Sequence, residues 1–412
     1  MDADVIVIGA GPAGCAAAIE AARQGGRVVL LERARTPQHK TCGDGLLPDA
    51  LRSLDSLGLG PRVRAEGLCL ESLTASAPGG REVRLAVPAV TLPRQRLNAL
   101  LQEEAIRCGV QLVQAEALEP LRSGEQVVGV AVRDAQRGRC EMTSPLTILA
   151  TGARPGPLRD FGVCRRTQPS AVAVRAYYRD LSGEFADTLH ISYDRSLFPG
   201  YGWVFPLPGG VFNIGCGRFL SRKQGDPPDL RDMFDFFIRN FPPARAIASR
   251  EDLLEVPCGG LLRTGLAGAE FHAPGLLVAG EALGATCPFI GDGIGKALET
   301  GSWAGLFAGQ VLETGDVSAA SLARYREFLE QRYRTLYRGY QRAQRWLAYP
   351  RLLNLLAWQA ERRPRLRHAM EQMLAERLHP GKIFSLPGLL GRVRIAAADE
   401  PAPPRLLKDS SG

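Results

Sequence analysis

The sequence predicts an α/β fold: a parallel sheet flanked by helices, an antiparallel sheet inserted into it, and a helical C-terminal region. Three observations carry this. Val5-Ile6-Val7-Ile8 is a short β-branched run that leads into a glycine-rich turn and an Ala-rich segment. Residues 170–220 are rich in Val, Tyr and Phe with turn residues between them, as antiparallel strands are. From Ser318 to about Leu378 the pattern is helical, broken near Pro350 and Pro364.

Composition sets the bounds. A chain of 412 residues, at roughly 100–200 residues per domain, holds two or three domains. With 45% apolar and 23% charged residues it is neither disordered nor fibrous. No uncharged apolar stretch reaches about 18 residues, which argues against a transmembrane helix. Asp2 and Asp4 precede the first apolar run in place of a basic leader, so no signal peptide is expected. Nine cysteines without a C-x-x-C pair argue against a disulfide framework and for a reducing, cytoplasmic setting. Only five of the 51 basic residues are lysine, a bias that a GC-rich bacterial genome imposes. The net charge of +8 leaves nucleic acid, an anionic membrane surface or plain solvation open.

The elements follow in order. Strand 5–8 runs into Gly9-Ala10-Gly11-Pro12-Ala13-Gly14, and the helix from Cys15 to Gln24 closes at Gly25-Gly26. Val28–Leu31 is a second strand that ends at Glu32-Arg33. Residues 36–48 read as a loop containing Cys42-Gly43-Asp44-Gly45, and residues 62–90 as short strands and turns. Arg94–Cys108 reads as a helix; 110–113, 127–133 and 141–149 read as strands, the last reaching Ala150-Thr151-Gly152. Residues 230–241 are helical. Strand 276–279 enters Gly280-Glu281-Ala282, and a helix runs from Gly293 to Leu312. The Pro- and Ala-rich tail from Ala396 is expected to be disordered.

Chemistry enters with the first turn. G-x-G-x-x-G after a strand, opening a helix, with an acid at the tip of the next strand, is a dinucleotide site. Gly9 permits the tight turn, Gly11 lets a pyrophosphate approach the backbone, and Gly14 lets the helix pack on the strand. Pro12 and Ala13 begin the helix whose N-terminus favours the phosphates. Glu32 suits ribose hydroxyls and repels a 2′-phosphate, so FAD or NAD is favoured over NADP. A second strand–turn, Gly280-Glu281-Ala282 followed by Pro288, Gly291-Asp292-Gly293-Ile294 and a helix, tips the choice to FAD. It resembles the G-D-A-A-G…P…G-x-G-I segment of flavoprotein hydroxylases, in which the acid bonds the ribityl chain; here Glu281 replaces Asp.

Three further segments carry a narrower likeness. Lys40-Thr41-Cys42-Gly43-Asp44-Gly45-Leu46 resembles a K-P-C-G-G-G-L loop. Tyr201-Gly202-Trp203-Val204-Phe205-Pro206, then Gly215 and Gly217, resembles Y-x-W-x-F-P…G-x-G. Arg94-Gln95-Arg96-Leu97-Asn98 with Leu101, Ala105 and Gly109 resembles R-x-x-F-D-x-x-L-x-x-x-A-x-x-x-G. Together they resemble the geranylgeranyl reductase family of the flavin hydroxylase superfamily, over about residues 4–310. Thr41, Asn98, Thr151 and Glu281 depart from the family pattern.

The resemblance implies a Rossmann-like FAD-binding domain (1–60, 91–160 and 261–315), an inserted antiparallel-sheet substrate domain (61–90 and 161–260), a C-terminal helical region (316–395) and a tail (396–412). It implies reduction of carbon–carbon double bonds in a prenyl or other hydrophobic substrate. Electrons would come from transient NADH or NADPH, or from a ferredoxin-type donor, since no second nucleotide fold is visible. Cofactor contacts would come from the two glycine motifs, Arg33, Cys42, Gly43, Arg94, Ala150 and Gly152. Cys42, Gly43 and Asp44 would form the catalytic loop. Cys42 would donate a proton or shape the site, with Lys40 and nearby backbone amides lowering its pKa; read alone, it is packing in a tight turn. Tyr201, Trp203, Phe205 and Pro206 would line the substrate site, though a plain sheet core explains such rings too. Arg94 would flank the pyrophosphate or form a surface ion pair, and Asp292 suits a helix cap. The five histidines have no metal spacing, so no metal is assigned.

Residues 324–379 hold thirteen arginines, no lysine and five acids, an excess equal to the whole net charge. Aromatic and leucine residues interleave with them. Such helices suit an anionic bilayer, peripheral to the inner face of the membrane, or form a cap with a solvated face. No nucleic-acid motif accompanies the charge. Two other functions remain open. One is a flavin monooxygenase or halogenase, since the Tyr201–Pro206 strand partly resembles the W-x-W-x-I-P strand of halogenases. The other is a flavin-binding partner without turnover.

Overall fold

The computed structural model describes residues 2–35, 40–134, 138–164, 168–220, 229–249, 252–346 and 348–393. The Thr36–His39 part of the expected loop and the expected disordered tail lie outside them. An eight-stranded sheet has at its centre four parallel strands: Val28–Glu32, Val5–Ile8, Leu146–Leu149 and Leu276–Val278. Gln111–Ser123 joins beside Val28–Glu32 in parallel. The predicted α/β class is met.

The helix Pro12–Arg23 packs on the helix Ile294–Thr314. The contact is close because glycine recurs every fourth residue on the second helix. A Cβ on Gly301 would lie 2.1 Å from the Ala13 carbonyl oxygen, and one on Gly305 2.4 Å from that of Ala17. Gly280 is left-handed, at φ 66°, and meets Ala13 in the same seam. This seam brings both glycine motifs to the same ends of the central strands.

A second, seven-stranded sheet orders its strands Leu253–Leu262, Ala171–Arg179, Val211–Phe219, Gly200–Leu207, Leu189–Ser192, Leu73–Ser76 and Glu82–Leu85. The segment 62–90 is more divided than expected. Gly60–Glu66 is a helix, and Gly45–Leu46 and Leu68–Leu70 each pair with Ala89–Thr91 between them in a separate three-stranded sheet. The expected 141–149 strand is two strands, Gly138–Thr143 and Leu146–Leu149. Pro145 lies between them, and its missing N–H ends the first ladder.

The C-terminal helices Ala319–Trp346, Pro350–Arg362 and Pro364–Leu374 break at the expected prolines. On the first, Tyr325, Tyr333, Tyr337 and Tyr340 are buried. The Tyr325 hydroxyl donates to the Val278 carbonyl at 2.9 Å, and that of Tyr337 to Ala285. The tyrosine face therefore turns inward onto the central sheet. No described helix is long and apolar enough to cross a membrane.

Candidate functional site

A cleft of about 970 Å³ opens over the first turn. Gly9, at φ 101°, leaves no room for a side chain: a Cβ would lie 2.7 Å from the Ala150 carbonyl oxygen. At Gly14 a Cβ would lie 1.7 Å from the Gly9 oxygen. Gly11 differs, because a Cβ there would meet nothing within 4 Å and would project into open space. At the far end Glu32 accepts from the Ala10 and Ala34 amides, both at 3.0 Å. Pro12, Ala13, Arg33, Ala150 and Gly152 line the same cleft. So does Thr151, whose buried hydroxyl has no partner. An elongated cleft with a backbone opening, an acid at one end and an orphaned hydroxyl fits FAD.

Lys40, Arg94, Glu281 and Ala297 also line a larger cavity of about 1310 Å³, so the two spaces adjoin. The larger cavity is faced by Cys42, Gly43, Asp44, Tyr201, Trp203, Phe205, Gly291, Asp292, Gly293 and Ile294. The glycines of the Cys42 loop admit the aromatic strand. A Cβ on Gly43 would lie 3.1 Å from the Phe205 ring, and one on Gly45 3.3 Å. Tyr201, Trp203 and Phe205 form a file with ring centroids 6.0 and 6.5 Å apart. They share one face because strand residues two apart do. Gly215 opposite makes room: a Cβ there would lie 2.2 Å from the Trp203 ring.

Asp44 anchors the loop. Its backbone is left-handed, at φ 61°, and the residue is fully buried. The carboxylate accepts from the Arg94 amide at 3.0 Å, from Asn213 Nδ2 at 2.8 Å and from the Tyr177 hydroxyl. Burial nevertheless holds its pKa above the usual carboxylate range, against those bonds and the nearby Arg175. Asn213 also donates to the Cys42 carbonyl at 2.7 Å and accepts from Trp203 Nε1 at 2.9 Å. Behind them Arg175 stacks over the Tyr177 ring and donates to Glu255 at 2.7 Å. This network escaped sequence reasoning. Its one signal was an Asn two residues before Gly215.

Several expectations change. Burial, then the Asp44 charge, push the Cys42 thiol up rather than down, outweighing Arg94 and Lys40. Lys40 is paired with Glu281. Glu281 is 9% exposed and also accepts from the Arg263 amide at 3.2 Å and from Thr286 at 3.4 Å. The extra methylene thus carries the carboxylate into these contacts as well as to the cleft wall. Arg94 is no surface ion pair: its Nε donates to Asn98 at 3.0 Å, and it borders both spaces. Asp292 accepts from the Ile294 amide at 3.3 Å, as a cap does. Pro288 and Pro206 line neither space. Pro288 packs near Gly265, and the Pro206 carbonyl accepts from Thr91 at 2.5 Å.

Comparison with known proteins agrees with this geometry. Residues 2–173 match the FAD binding domain family model. The chain is 32% identical over 378 residues to the menaquinone reductase of Mycobacterium tuberculosis, covering 85% of each. It is 29% identical to digeranylgeranylglycerophospholipid reductase 2 of Methanopyrus kandleri, over 81% of this chain and 83% of that one. In fold it is similar to a geranylgeranyl bacteriochlorophyll reductase-like protein from Thermoplasma acidophilum, with TM-score 0.76, 20% identity and 95% of each chain covered. The flavin-dependent brominase Bmp2 shares the fold at TM-score 0.75 and 19% identity, over 93% and 97% of the two chains. With the FAD-fitting cleft and the similarity to curated reductases over most of its length, the chain belongs to the geranylgeranyl reductase family of FAD-dependent oxidoreductases.

Proposed function

We propose that the protein reduces carbon–carbon double bonds in the prenyl chain of a lipid or quinone. The carrying observation is that the large cavity adjoins a second, apolar one of about 680 Å³ across a shared wall. Leu73, Ile191, Ile290 and Leu374 belong to both. The second is walled by groups such as Leu85, Leu353, Leu356, Met370 and Phe384. A second cavity with so few polar groups suits a long hydrocarbon better than a compact aromatic substrate. The names of the curated relatives, for menaquinone and for digeranylgeranylglycerophospholipid, agree.

FAD would be held by the Gly9–Gly14 turn, Glu32, Arg94, Gly152, Glu281 and the Gly291–Ile294 segment. Bound there and reduced by a nicotinamide or ferredoxin-type donor, it supplies hydride. The chain's own residues shape and dry the cavity. Tyr201, Trp203 and Phe205 give rigid apolar walls with little entropy to lose. Cys42 holds its proton at neutral pH, so it serves as a neutral wall group. Asp44, bonded on every side, serves as a positioning residue for the loop. We also assign the outer face of Pro350–Arg362 to contact with the inner membrane surface, from which a lipid substrate would enter.

The test is anaerobic. The protein is reduced, then given geranylgeranyl compounds, and separately oxygen. Reoxidation by the alkene with a gain of two hydrogens is expected. A stable oxygen adduct with hydroxylation or halogenation would overturn the reading in favour of a monooxygenase or halogenase. Bound FAD with no turnover of either kind would make it a binding protein. Cys42→Ser is expected to slow alkene reduction several-fold with FAD retained.

A further inference from the structure

Behind the cavity wall lies a group of charges that no part of the site so far uses. Lys296, one turn into the helix Ile294–Thr314, is only 1% exposed. Its ammonium contacts Asp49 at 3.1 Å, Glu299 at 3.6 Å and Glu376. Glu299 in turn holds Arg332 at 2.8 Å. Asp49 sits against the helix start: a Cβ on Gly295 would lie 2.1 Å from its Oδ2. Asp292 stands one turn before Lys296 and faces the cavity.

The charges do not balance. Asp49, Asp292, Glu299 and Glu376 are four carboxylates against two cations, Lys296 and Arg332. Around them stand Tyr333, Tyr337 and Tyr340 of the helix Ala319–Trp346, Cys287 of the preceding turn, and Tyr201 across the cavity. None of these brings positive charge. Burial and neighbouring like charge favour the protonated form of such carboxylates. Burial, then the charges of Asp49 and Glu376, raise the Asp292 pKa well above the ordinary carboxylate value. Glu376 is raised by burial, then by Asp49 and Glu299. Glu299, despite its burial, is lowered by Lys296 and Arg332. The group reaches solvent at Arg332, 28% exposed, and Glu299, 16% exposed. It reaches the cavity at Asp292.

We propose that Asp292 is the proton inlet of the cavity, a catalytic acid resupplied from the surface through Glu299, Glu376, Lys296 and Asp49. This rests on the alkene-reduction reading. Each reduced double bond takes hydride from the reduced flavin on one carbon and a proton on the other. The π bond breaks, two C–H bonds form, and the flavin loses two electrons. The proton comes from the Asp292 carboxyl, and the resulting carboxylate takes its replacement from the ion group. Asp292 suits this because it is the member of the group that lines the cavity. Cys42 and Tyr201, also on the wall, have pKa values raised by burial and are far weaker acids.

The test uses the FAD-bound full chain and has two arms. In the first, single-turnover reoxidation by a geranylgeranyl substrate is followed per bound flavin against pH. The wild-type rate is expected to fall on the alkaline side. Asp292→Asn should lower the neutral rate about 100-fold, in the range general acids contribute, and abolish that limb. Asp292→Glu should regain much of the rate. Glu376→Gln should move the limb to lower pH, since the Glu376 charge raises Asp292. Wild-type rates and limbs in Asp292→Asn overturn the proposal, as does an unmoved limb in Glu376→Gln. The second arm needs no turnover. An infrared band of protonated carboxyl is expected in the wild type and should be weaker in Asp292→Asn by the share of one carboxyl, whatever Asp44 and Glu376 contribute. Equal bands in both overturn the proposal. Failure of every prenyl substrate to reoxidise the wild type overturns the proposed function instead, and the infrared arm still judges Asp292.

Discussion

At the scale of single residues, the three glycines of one motif differ: the spacing pointed to Gly9 and Gly14 as steric needs of the fold, and to Gly11 as an opening for a ligand. Gly9 and Gly14 are required by the protein itself, whereas Gly11 has no neighbour to exclude a side chain and opens onto the cleft. The contrast yields a prediction. Gly11→Ala should leave the thermal stability of the FAD-free protein unchanged, because its Cβ would meet nothing within 4 Å. It should weaken FAD binding at least tenfold, about 1.4 kcal/mol. Gly14→Ala should instead destabilise the fold by about 1–3 kcal/mol or more, since its methyl would lie 1.7 Å from a backbone oxygen. Denaturant melts and flavin titration separate the two; normal FAD affinity in Gly11→Ala would remove the pyrophosphate from this position. Asn213 was not legible in the same way. Its partners Cys42 and Asp44 lie 171 and 169 residues away, and nothing local on a strand distinguishes a network centre from a chance polar residue. Asn213→Ala leaves Trp203 Nε1 and the Asp44 carboxylate short of a buried partner. It should cost about 1–3 kcal/mol in a melt.

At the scale of elements, apolar periodicity and prolines marked the main helices and the central strands, but the strand expected at 110–113 runs on to Ser123, and the short helices Pro48–Ser56, Pro155–Asp160 and Pro242–Ala248 were not expected. The failures came where one residue outweighed a run, as Pro145 does in dividing the 141–149 segment. They also came where pairing partners decided the sheet: Leu68–Leu70 and Leu73–Ser76 look alike as sequence, yet they belong to different sheets. The strand Leu189–Ser192 carries a pH-dependent weakness. His190 is buried, with its ring edge-on to Phe185 at 5.7 Å, and burial lowers its pKa. The folded state therefore binds fewer protons than the unfolded one, in which histidine titrates near about 6.5. Its contribution to stability is present above that pH and is lost as pH falls below it. His272 shifts in the same direction, also by burial. Urea midpoints should accordingly fall between pH 7.5 and 5.5, and fall less in His190→Leu. An equal fall in the variant would place the acid sensitivity elsewhere.

At the scale of the whole molecule, the net charge of +8 resolves into two faces of the C-terminal helices. The sequence showed arginine and aromatic groups alternating but not which face each took, because both a membrane helix and a docked cap have that pattern. Docking uses the tyrosines of Ala319–Trp346, so that helix meets solvent mainly with arginines, some paired as Arg326 and Arg334 are with Glu330. The next helix differs. Leu353, Leu356 and Ala357 of Pro350–Arg362 face the apolar cavity. On its outer side Leu355 and Trp358 are each 38% exposed, Tyr349 before it is 59% exposed, and Arg362 lies over the Trp358 ring. Leu386, at 71%, is exposed farther along the chain. One helix thus has an apolar cavity beneath it and exposed apolar groups with Arg362 above it, which the proposed uptake of a prenyl chain from an anionic bilayer would use. The protein should therefore float with anionic vesicles at low salt and be released at high salt, each arginine near the surface adding about 1 kcal/mol. Leu355→Ser with Trp358→Ser should cut flotation several-fold while the chain still melts cooperatively, because each side chain is more than a third exposed. Equal flotation with neutral vesicles, or full flotation of the double variant, would return the charge to a merely solvated role.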